Sequence, residues 1–244
     1  MPMSLADNIA RVQEQIANAC RCASRAPESV QLMAVSKTHP AEAILEAAAS
    51  GLRLFGENRV QEFAGKRDAL AAAGLLAGSD PARFHCIGPV QSNKANRAAE
   101  IFDAVDTLDS LRLAQRLDQA AAARGRTLAV NIEIKTSPEP AKHGILPDSP
   151  ELAALLEQLP DMQHLHVCGL MTVPPFAANP EEARPYFRRL RELRDSLAAR
   201  CPRVRLEELS MGMSHDFSVA IEEGATVVRV GTAIFGSRPP VGRG

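Results

Sequence analysis

Short apolar runs alternate along the chain with longer segments whose apolar residues recur at helical spacing. The eight short runs are rich in β-prone residues and predict strands, at 31–36, 52–55, 84–87, 102–105, 128–134, 166–173, 206–209 and 226–230. The seven segments between them predict helices, at 41–49, 60–73, 93–101, 111–124, 151–159, 181–200 and 214–223. Strand and helix therefore alternate through most of the chain.

A further helix is predicted before the first strand, because apolar residues recur in steps of three and four between positions 5 and 20. Ser4 precedes this pattern and Asp7 follows three residues later, which is the spacing of a capping box. We expect residues 1–25 to form an N-terminal helix that packs on the rest of the fold.

Alternation of strands and helices predicts parallel strands joined by crossover helices, in either an open doubly wound sheet or a closed barrel. Eight strands within 244 residues favour the barrel. A dinucleotide-binding sheet would place a glycine fingerprint after its first strand, where this chain has Ser36, Lys37 and Thr38. The prediction is an α/β fold, a (β/α)8 TIM barrel that forms one domain over residues 1–244.

Composition limits the classes of protein to which this chain can belong. Hydrophobic residues make up 45% and charged residues 23%, as in ordinary globular proteins. The sequence shows neither a membrane-length apolar run nor a secretory leader, which predicts a cytoplasmic protein without a membrane partner. Basic and acidic residues number 28 and 29 and tryptophan is absent, so no nucleic-acid partner is expected. The five scattered cysteines predict reduced thiols, and no metal site is predicted.

Polar residues at the ends of the predicted strands are the candidates for chemistry, since the active site of such a barrel lies at the carboxyl ends of its strands. Lys37 follows the first run and Asn58 lies just beyond the second. His85 lies within the third run, where it faces either a bound ring or a hydrogen-bonded core position.

The loops after the seventh and eighth runs predict a phosphate site. Both combine glycine and hydroxyl residues before a predicted helix, where backbone N–H groups can approach an anion closely. The candidates in these loops are Ser210, Met211, Ser214, Gly231 and Thr232. Ordinary turn chemistry is the alternative, with Ser214 capping the helix at 214–223.

Lysine is rare in this chain, so each of its five lysines is informative. Lys37 and Lys135 directly end predicted strands, where partial desolvation lowers the pKa of an amine and allows it to form a Schiff base with a carbonyl. An ion pair is the alternative role at both positions. Lys66 lies in the middle of a predicted helix and is expected to be solvated.

Arg229 is a lone charge within the apolar eighth run. A buried guanidinium requires a partner, because an unpaired buried charge is very costly. Either it contacts a ligand beside the predicted phosphate loop, or it forms a buried ion pair with a carboxylate such as Glu133 or Glu207.

Taken together, six segments resemble the pyridoxal phosphate homeostasis proteins, also called the proline synthetase co-transcribed family. The segments are AVSKT at 34–38, FGENRVQE at 55–62, HCIGPVQSNK at 85–94, GLM at 169–171, LSMGMS at 209–214 and RVGTAIFG at 229–236. This family is similar in turn to the barrel domain of alanine racemase. The resemblance implies pyridoxal 5'-phosphate (PLP) as the cofactor, held as a Schiff base on Lys37.

The same resemblance implies the roles of other residues. Arg229 would face the pyridine nitrogen, the residues Ser210, Gly231 and Thr232 would contact the phosphate, and Asn58 and His85 would line the ring pocket. Residues 130–144 depart from the family pattern, which leaves the roles of Lys135 and Lys142 open.

The function implied is PLP homeostasis, in which a monomer supplies PLP to apo-enzymes without catalytic turnover. A PLP-dependent racemase and a cofactor-free Schiff-base aldolase are the alternatives. The racemase reading requires a tyrosine opposite the lysine, from a further domain. The only tyrosine is Tyr186, within the predicted helix at 181–200.

Overall fold

Eight parallel strands close into a barrel in sequence order in the computed structural model, which describes residues 4–137, 139 and 142–236. The strands are β1 (Gln31–Val35), β2 (Leu54–Glu57), β3 (Arg83–Cys86), β4 (Ala104–Leu108), β5 (Leu128–Glu133), β6 (Leu165–Met171), β7 (Glu208–Met213) and β8 (Val227–Val230). Parallel pairing of β1 with β8, from Gln31 opposite Val227 to Ala34 opposite Val230, closes the cylinder. The predicted TIM barrel is confirmed.

Helices form the outer layer. They are α1 (Leu5–Cys22), α2 (Ala41–Ala49), α3 (Val60–Ala72), α4 (Ala95–Ile101), α5 (Leu111–Ala122), α6 (Pro150–Gln158), α7 (Arg184–Arg200), α8 (Phe217–Glu222) and α9 (Thr232–Phe235). Each helix from α2 to α8 connects two consecutive strands, and α9 follows β8. Within the described residues, no helix is both long enough and apolar enough to cross a membrane.

The N-terminal helix α1 begins with the predicted capping box. The Ser4 hydroxyl accepts a hydrogen bond from the Asp7 backbone N–H, and the Asp7 carboxylate accepts one from the Ser4 N–H, both at 3.1 Å. The buried face of α1 packs against α8 and α9. The Asn8 amide donates to the Ile234 carbonyl at 3.0 Å, so α1 is joined directly to the segment that follows the last strand.

Strand side chains alternate between two apolar layers, as the period of two residues requires. Ala34 and Phe55 belong to the large core that the strands share with the helices. Met33, Leu54 and Val227 form a small separate cluster inside the barrel. Because alternate residues share a face, the interior side of β1 continues from Met33 through Val35 toward Lys37.

An aromatic stack holds α3 against the barrel. The ring of Phe63 in α3 stacks on Phe84 at 4.6 Å and on Phe102 at 4.8 Å between centroids, and Phe84 stacks on Phe55 at 5.3 Å. These rings are fully or almost fully buried. The stack fixes the position of the helix that carries Glu62 and Lys66.

Several strand limits differ from those predicted. The second and seventh strands were predicted at 52–55 and 206–209, whereas β2 extends to Glu57 and β7 to Met213. The glycine in each strand looks like a loop signal in the sequence. At Gly56 the reason for the glycine is space, because an added Cβ would lie 2.9 Å from Ile87 and Met33 inside the barrel.

Gly169 in β6 provides a test of barrel packing. A Cβ there would lie 2.0 Å from the backbone carbonyl oxygen of Glu208 on β7. We therefore expect Gly169→Ala to lower the free energy of unfolding by about 1–3 kcal/mol, since the two backbones must separate. Urea denaturation measures this loss.

The matched control is Gly65→Ala in α3, where an added Cβ meets nothing within 4 Å. That change should raise stability by roughly 0.5–1 kcal/mol, because glycine is a poor helix former. Equal stability of the Gly169→Ala protein and the wild type would contradict the close packing of β6 on β7.

Candidate functional site

The carboxyl ends of β1, β2 and β8 bring together residues that are far apart in the sequence. Lys37 follows β1 by two residues and Asn58 directly follows β2, and both are half-buried. Closure of the barrel makes β1 a neighbour of both β2 and β8. The loop after β8 approaches this seam closely, since a Cβ added at Gly231 would lie 3.3 Å from the Val35 carbonyl oxygen.

Arg229 lies on β8 below this seam, and its side chain is only 4% exposed. Its Nη1 donates to Ser210 Oγ and its Nη2 to the Thr172 carbonyl oxygen, each at 2.8 Å. The alternative of an ion pair with Glu133 or Glu207 is wrong: among the described residues no carboxylate lies within ion-pair distance of Arg229, and Glu207 pairs instead with a solvent-exposed arginine.

Among the described residues, the positive charge of Arg229 has no negatively charged group at hydrogen-bond distance. Burial lowers the pKa of its guanidinium, and the carboxyl groups of Asp106, Glu133 and Asp216 act in the opposite direction. The two groups that hydrogen-bond to it are both neutral. The guanidinium can therefore attract an acceptor atom of a ligand.

His85 in β3 is a hydrogen-bonded core residue. Its Nδ1 lies 3.1 Å from Asp106 Oδ1, and both side chains are buried. Burial by itself disfavours the charged ring, but the Asp106 carboxylate outweighs it and raises the pKa of His85. His85 therefore occupies a hydrogen-bonded, buried position, which is one of the two roles that the sequence allows. Its contact with a bound ring remains a prediction.

The two predicted phosphate loops contact each other. The Gly231 backbone N–H donates to Ser214 Oγ at 3.3 Å. Ser214 does not cap a helix, because α8 begins only at Phe217. Thr232 is exposed beside these groups, and Ser210 is buried beneath them against Arg229.

Met211 differs from the other candidates. Its side chain is fully buried in the core shared with the helices, so it faces away from the barrel interior. Only its backbone is available to a ligand at the mouth.

Glu133, at the end of β5, is a titratable group of the mouth that the sequence suggested only as an ion-pair partner. Its side chain is buried. Burial raises the pKa of Glu133 to about 7, the Asp109 carboxylate adds to this effect, and Arg229 and Lys142 oppose it. Lys142 also donates to the Pro174 carbonyl oxygen at 3.3 Å.

Lys66 is not solvated, and that prediction is wrong. Its side chain is 11% exposed and its Nζ lies 2.9 Å from Glu57 Oε1 and 2.8 Å from Glu62 Oε1. Sequence reasoning missed both carboxylates. The spacing of four residues between Glu62 and Lys66 was the available signal, because such residues are neighbours on a helix.

No group of three or more potential metal ligands occurs among residues 4–137, 139 and 142–236. The groups that the mouth offers for chemistry are an amine, a buried guanidinium, a buried carboxyl, hydroxyl groups and backbone N–H groups.

Comparison with known proteins agrees with this arrangement. The family model described as the N-terminal domain of alanine racemase matches residues 8–239. A pyridoxal phosphate homeostasis protein of Aquifex aeolicus is 43% identical over 236 residues, which cover 97% of this chain and 99% of that protein. The chain belongs to the pyridoxal phosphate homeostasis protein family. The family member of Escherichia coli K12 is 42% identical over 237 residues and 96% of this chain.

Solved structures extend the comparison. PipY of Synechococcus elongatus with PLP bound has a TM-score of 0.83 and 40% identity, and the match covers 96% of this chain and all of PipY. An alanine racemase of Clostridium difficile has a TM-score of 0.70 at 15% identity and is matched over 58% of its length. The match to the alanine racemase shows a shared barrel fold, whereas the match to PipY covers this chain and PipY almost completely.

The raised pKa of Glu133 predicts how stability depends on pH in this family member. The unfolded carboxyl ionises from about pH 4.5, but the folded one ionises only near pH 7. Stability associated with Glu133 is therefore present below pH 4.5 and is lost as the pH rises through 7. The free energy of unfolding of Glu133→Gln, measured relative to that of the wild type, should rise by up to about 3 kcal/mol between pH 5 and pH 8.

Urea denaturation at several pH values measures this difference, in which other titrating groups largely cancel. Glu207→Gln, at an exposed position, is the control and should show a much smaller change. A difference between Glu133→Gln and wild type that stays constant from pH 5 to pH 8 would show that the carboxyl is already ionised at pH 5.

Proposed function

We propose that this chain binds PLP covalently through Lys37 and acts in PLP homeostasis by holding the cofactor and passing it to apo-enzymes. The observation that carries the proposal is the position of Lys37. This half-buried lysine follows β1 by two residues, near the seam with β8 where the Gly231 loop lies against Val35. The PLP-bound structure of PipY, a relative that matches along 96% of the chain, supports the choice of cofactor.

The residues of the mouth fit PLP. The phosphate would be held by backbone N–H groups and hydroxyls of Ser210, Ser214, Gly231 and Thr232. Ser210 already contacts Arg229, and Ser214 already contacts Gly231, next to Thr232. When bound, PLP would supply an aldehyde, and the unprotonated amine of Lys37 would be the group that bonds to its carbon with release of one water. Asn58 is a candidate for orienting the ring, because β2 places it next to β1.

Arg229 would face the pyridine nitrogen. A guanidinium keeps its proton under all ordinary conditions, so it disfavours a second proton on a neighbouring ring nitrogen. The ring is then a weaker electron sink, and PLP-dependent reactions of amino acids usually rely on that sink. Racemases tolerate such an arginine, so this feature alone does not decide between binding and catalysis.

An acid or base on the face opposite Lys37 is the stronger criterion, since proton transfer requires a positioned group within hydrogen-bond reach. Tyr186, the only tyrosine of the sequence, lies in α7 of the outer helical layer. It therefore belongs to a helix outside the barrel and not to a strand end of the mouth. This placement favours a carrier over a racemase.

Apo-enzymes that require PLP are the proposed partners, and we propose that the carrier acts in the cytoplasm as a monomer. Partial exposure of Lys37 favours exchange, because an acceptor amine must reach the carbon to which the lysine is bonded. The proposal requires no metal and no nucleic acid.

Replacement of the attachment lysine tests the covalent link. Lys37→Ala should abolish the lysine-linked chromophore and the PLP that borohydride fixes to the protein, while leaving the fold intact. Absorbance spectra and peptide mapping after borohydride treatment provide the measurement. Lys135→Ala is the matched control, since Lys135 follows another strand of the same barrel, and it should keep both signals. If borohydride fixed PLP on Lys135 of the wild-type protein, the choice of Lys37 as the attachment lysine would be wrong.

Transfer tests the carrier function. PLP-loaded protein mixed with an apo PLP enzyme should restore the activity of that enzyme, because the half-buried lysine can exchange its bound carbonyl with an acceptor amine. Incubation of the same protein with L- or D-alanine should leave the optical rotation of the amino acid unchanged. Sustained racemisation by the pure protein would replace the carrier proposal with the racemase alternative.

A further inference from the structure

We propose that Glu57, Glu62 and Lys66 form a clamp behind the barrel wall that positions Lys37 for its bond to PLP by fixing the backbone on both sides of it. These three residues are called the Lys66 clamp below. The inference rests on the proposed function of Lys37. It assigns the clamp a positioning role, since none of its three residues lies on the interior face of the barrel.

The side of Lys37 toward the N-terminus is fixed through Ser36. The Ser36 hydroxyl donates to Glu57 Oε1 at 2.7 Å, and the Ser36 carbonyl oxygen accepts from Lys66 Nζ at 3.2 Å. Ser36 is fully buried, so water cannot replace either bond. The peptide unit between Ser36 and Lys37 is consequently held from the helix side of the sheet.

The side toward the C-terminus is fixed through Thr38. Its backbone N–H donates to Glu62 Oε1 at 2.5 Å, and the same oxygen accepts from Lys66 Nζ at 2.8 Å. Burial alone disfavours the Glu62 carboxylate, but the hydrogen bonds from Lys66 and Thr38 outweigh it and lower the pKa of Glu62. Both neighbours of Lys37 therefore depend on one ammonium group.

The conformation of Thr38 explains why such an anchor is required. Its φ angle is +68°, in the left-handed region that a β-branched residue rarely adopts. Backbone of this kind is strained and persists only when its surroundings hold it. The bond from Thr38 to Glu62 is one such restraint, and the bond from the His39 N–H to the Ser36 carbonyl, 3.1 Å long, is a second.

Alternation along β1 and β2 places the clamp and Lys37 on opposite faces of the sheet. Ser36 and Glu57 face the helices, whereas Lys37 continues the interior face of Met33 and Val35. Glu57 is fully buried, and Lys66 reaches it from α3. A buried cluster of hydrogen bonds behind a strand end stabilises one backbone geometry, and small displacements of an attachment group strongly weaken a covalent site.

Glu62 is the residue of choice for a test, because its side chain is 25% exposed and its replacement should not prevent folding. Glu62→Ala removes the acceptor of the Thr38 N–H, whereas Glu62→Gln keeps an acceptor oxygen without the charge. We expect Glu62→Ala to raise the rate of PLP loss during dialysis by about tenfold. Glu62→Gln should raise the rate of PLP loss by less than about threefold. If Glu62 acted only through its charge, the two variants would lose PLP equally fast.

Arg188→Ala provides the matched control, because Arg188 pairs with the buried carboxylate of Glu223 in a comparable cluster on α7 and α8. It should leave the rate of PLP loss unchanged. A second readout on the apo-protein is the hydrogen exchange of the Thr38 amide, which should be faster in Glu62→Ala than in wild type. Lys66→Arg, which retains the positive charge, should stay closer to wild type than Lys66→Met in both measurements.

The outcomes separate the two proposals. Wild-type protein without borohydride-fixed PLP on Lys37 would contradict the proposed function. The clamp is overturned if Glu62→Ala loses PLP at the wild-type rate, or if exchange of its Thr38 amide is unchanged in the apo-protein. Equal PLP loss from Glu62→Ala and Arg188→Ala would also overturn it, since any destabilised variant would then behave alike.

Discussion

A guanidinium cannot shed its proton under ordinary conditions, so the burial of Arg229 within β8 obliges the barrel to supply hydrogen-bond acceptors around it. Ser210 in β7 and the Thr172 carbonyl after β6 are those acceptors. Thr172 in turn donates through its hydroxyl to the Ile134 carbonyl after β5, at 2.8 Å. One row of hydrogen bonds thus links the carboxyl ends of four consecutive strands and sets the shape of half of the mouth.

The other half of the mouth is organised from outside the barrel, where the Lys66 clamp holds the end of β1 against β2 and α3. The two systems come together at the seam between β1 and β8, near Lys37 and Gly231. Each side of the proposed PLP site is therefore fixed by its own polar network. A site built in this way suits the retention of one ligand in one orientation.

Much of this arrangement could be predicted from the sequence, because the information was local. Alternation of strand and helix indicated the barrel. A strand-end position marked Lys37 and Lys135 alike, and the choice of Lys37 rests on the resemblance to the family. The role of Glu57 could not be predicted, since a carboxylate after Gly56 is typical of a loop, and its burial depends on Lys66 being placed behind β2 by the packing of α3. The side to which Met211 points follows from alternation along β7, because Met211 shares the core face of Leu209, and Ser210 between them contacts Arg229.

The pairing of β1 with β8 has a consequence for synthesis on the ribosome. Lys37 is made early and Gly231 late, so at usual elongation rates about ten to forty seconds separate the two halves of the site. Until β8 has emerged, the end of β1 has only one of its two neighbours. A nascent chain consequently has no complete pocket, and the proposed PLP site can be filled only after β8 has paired with β1.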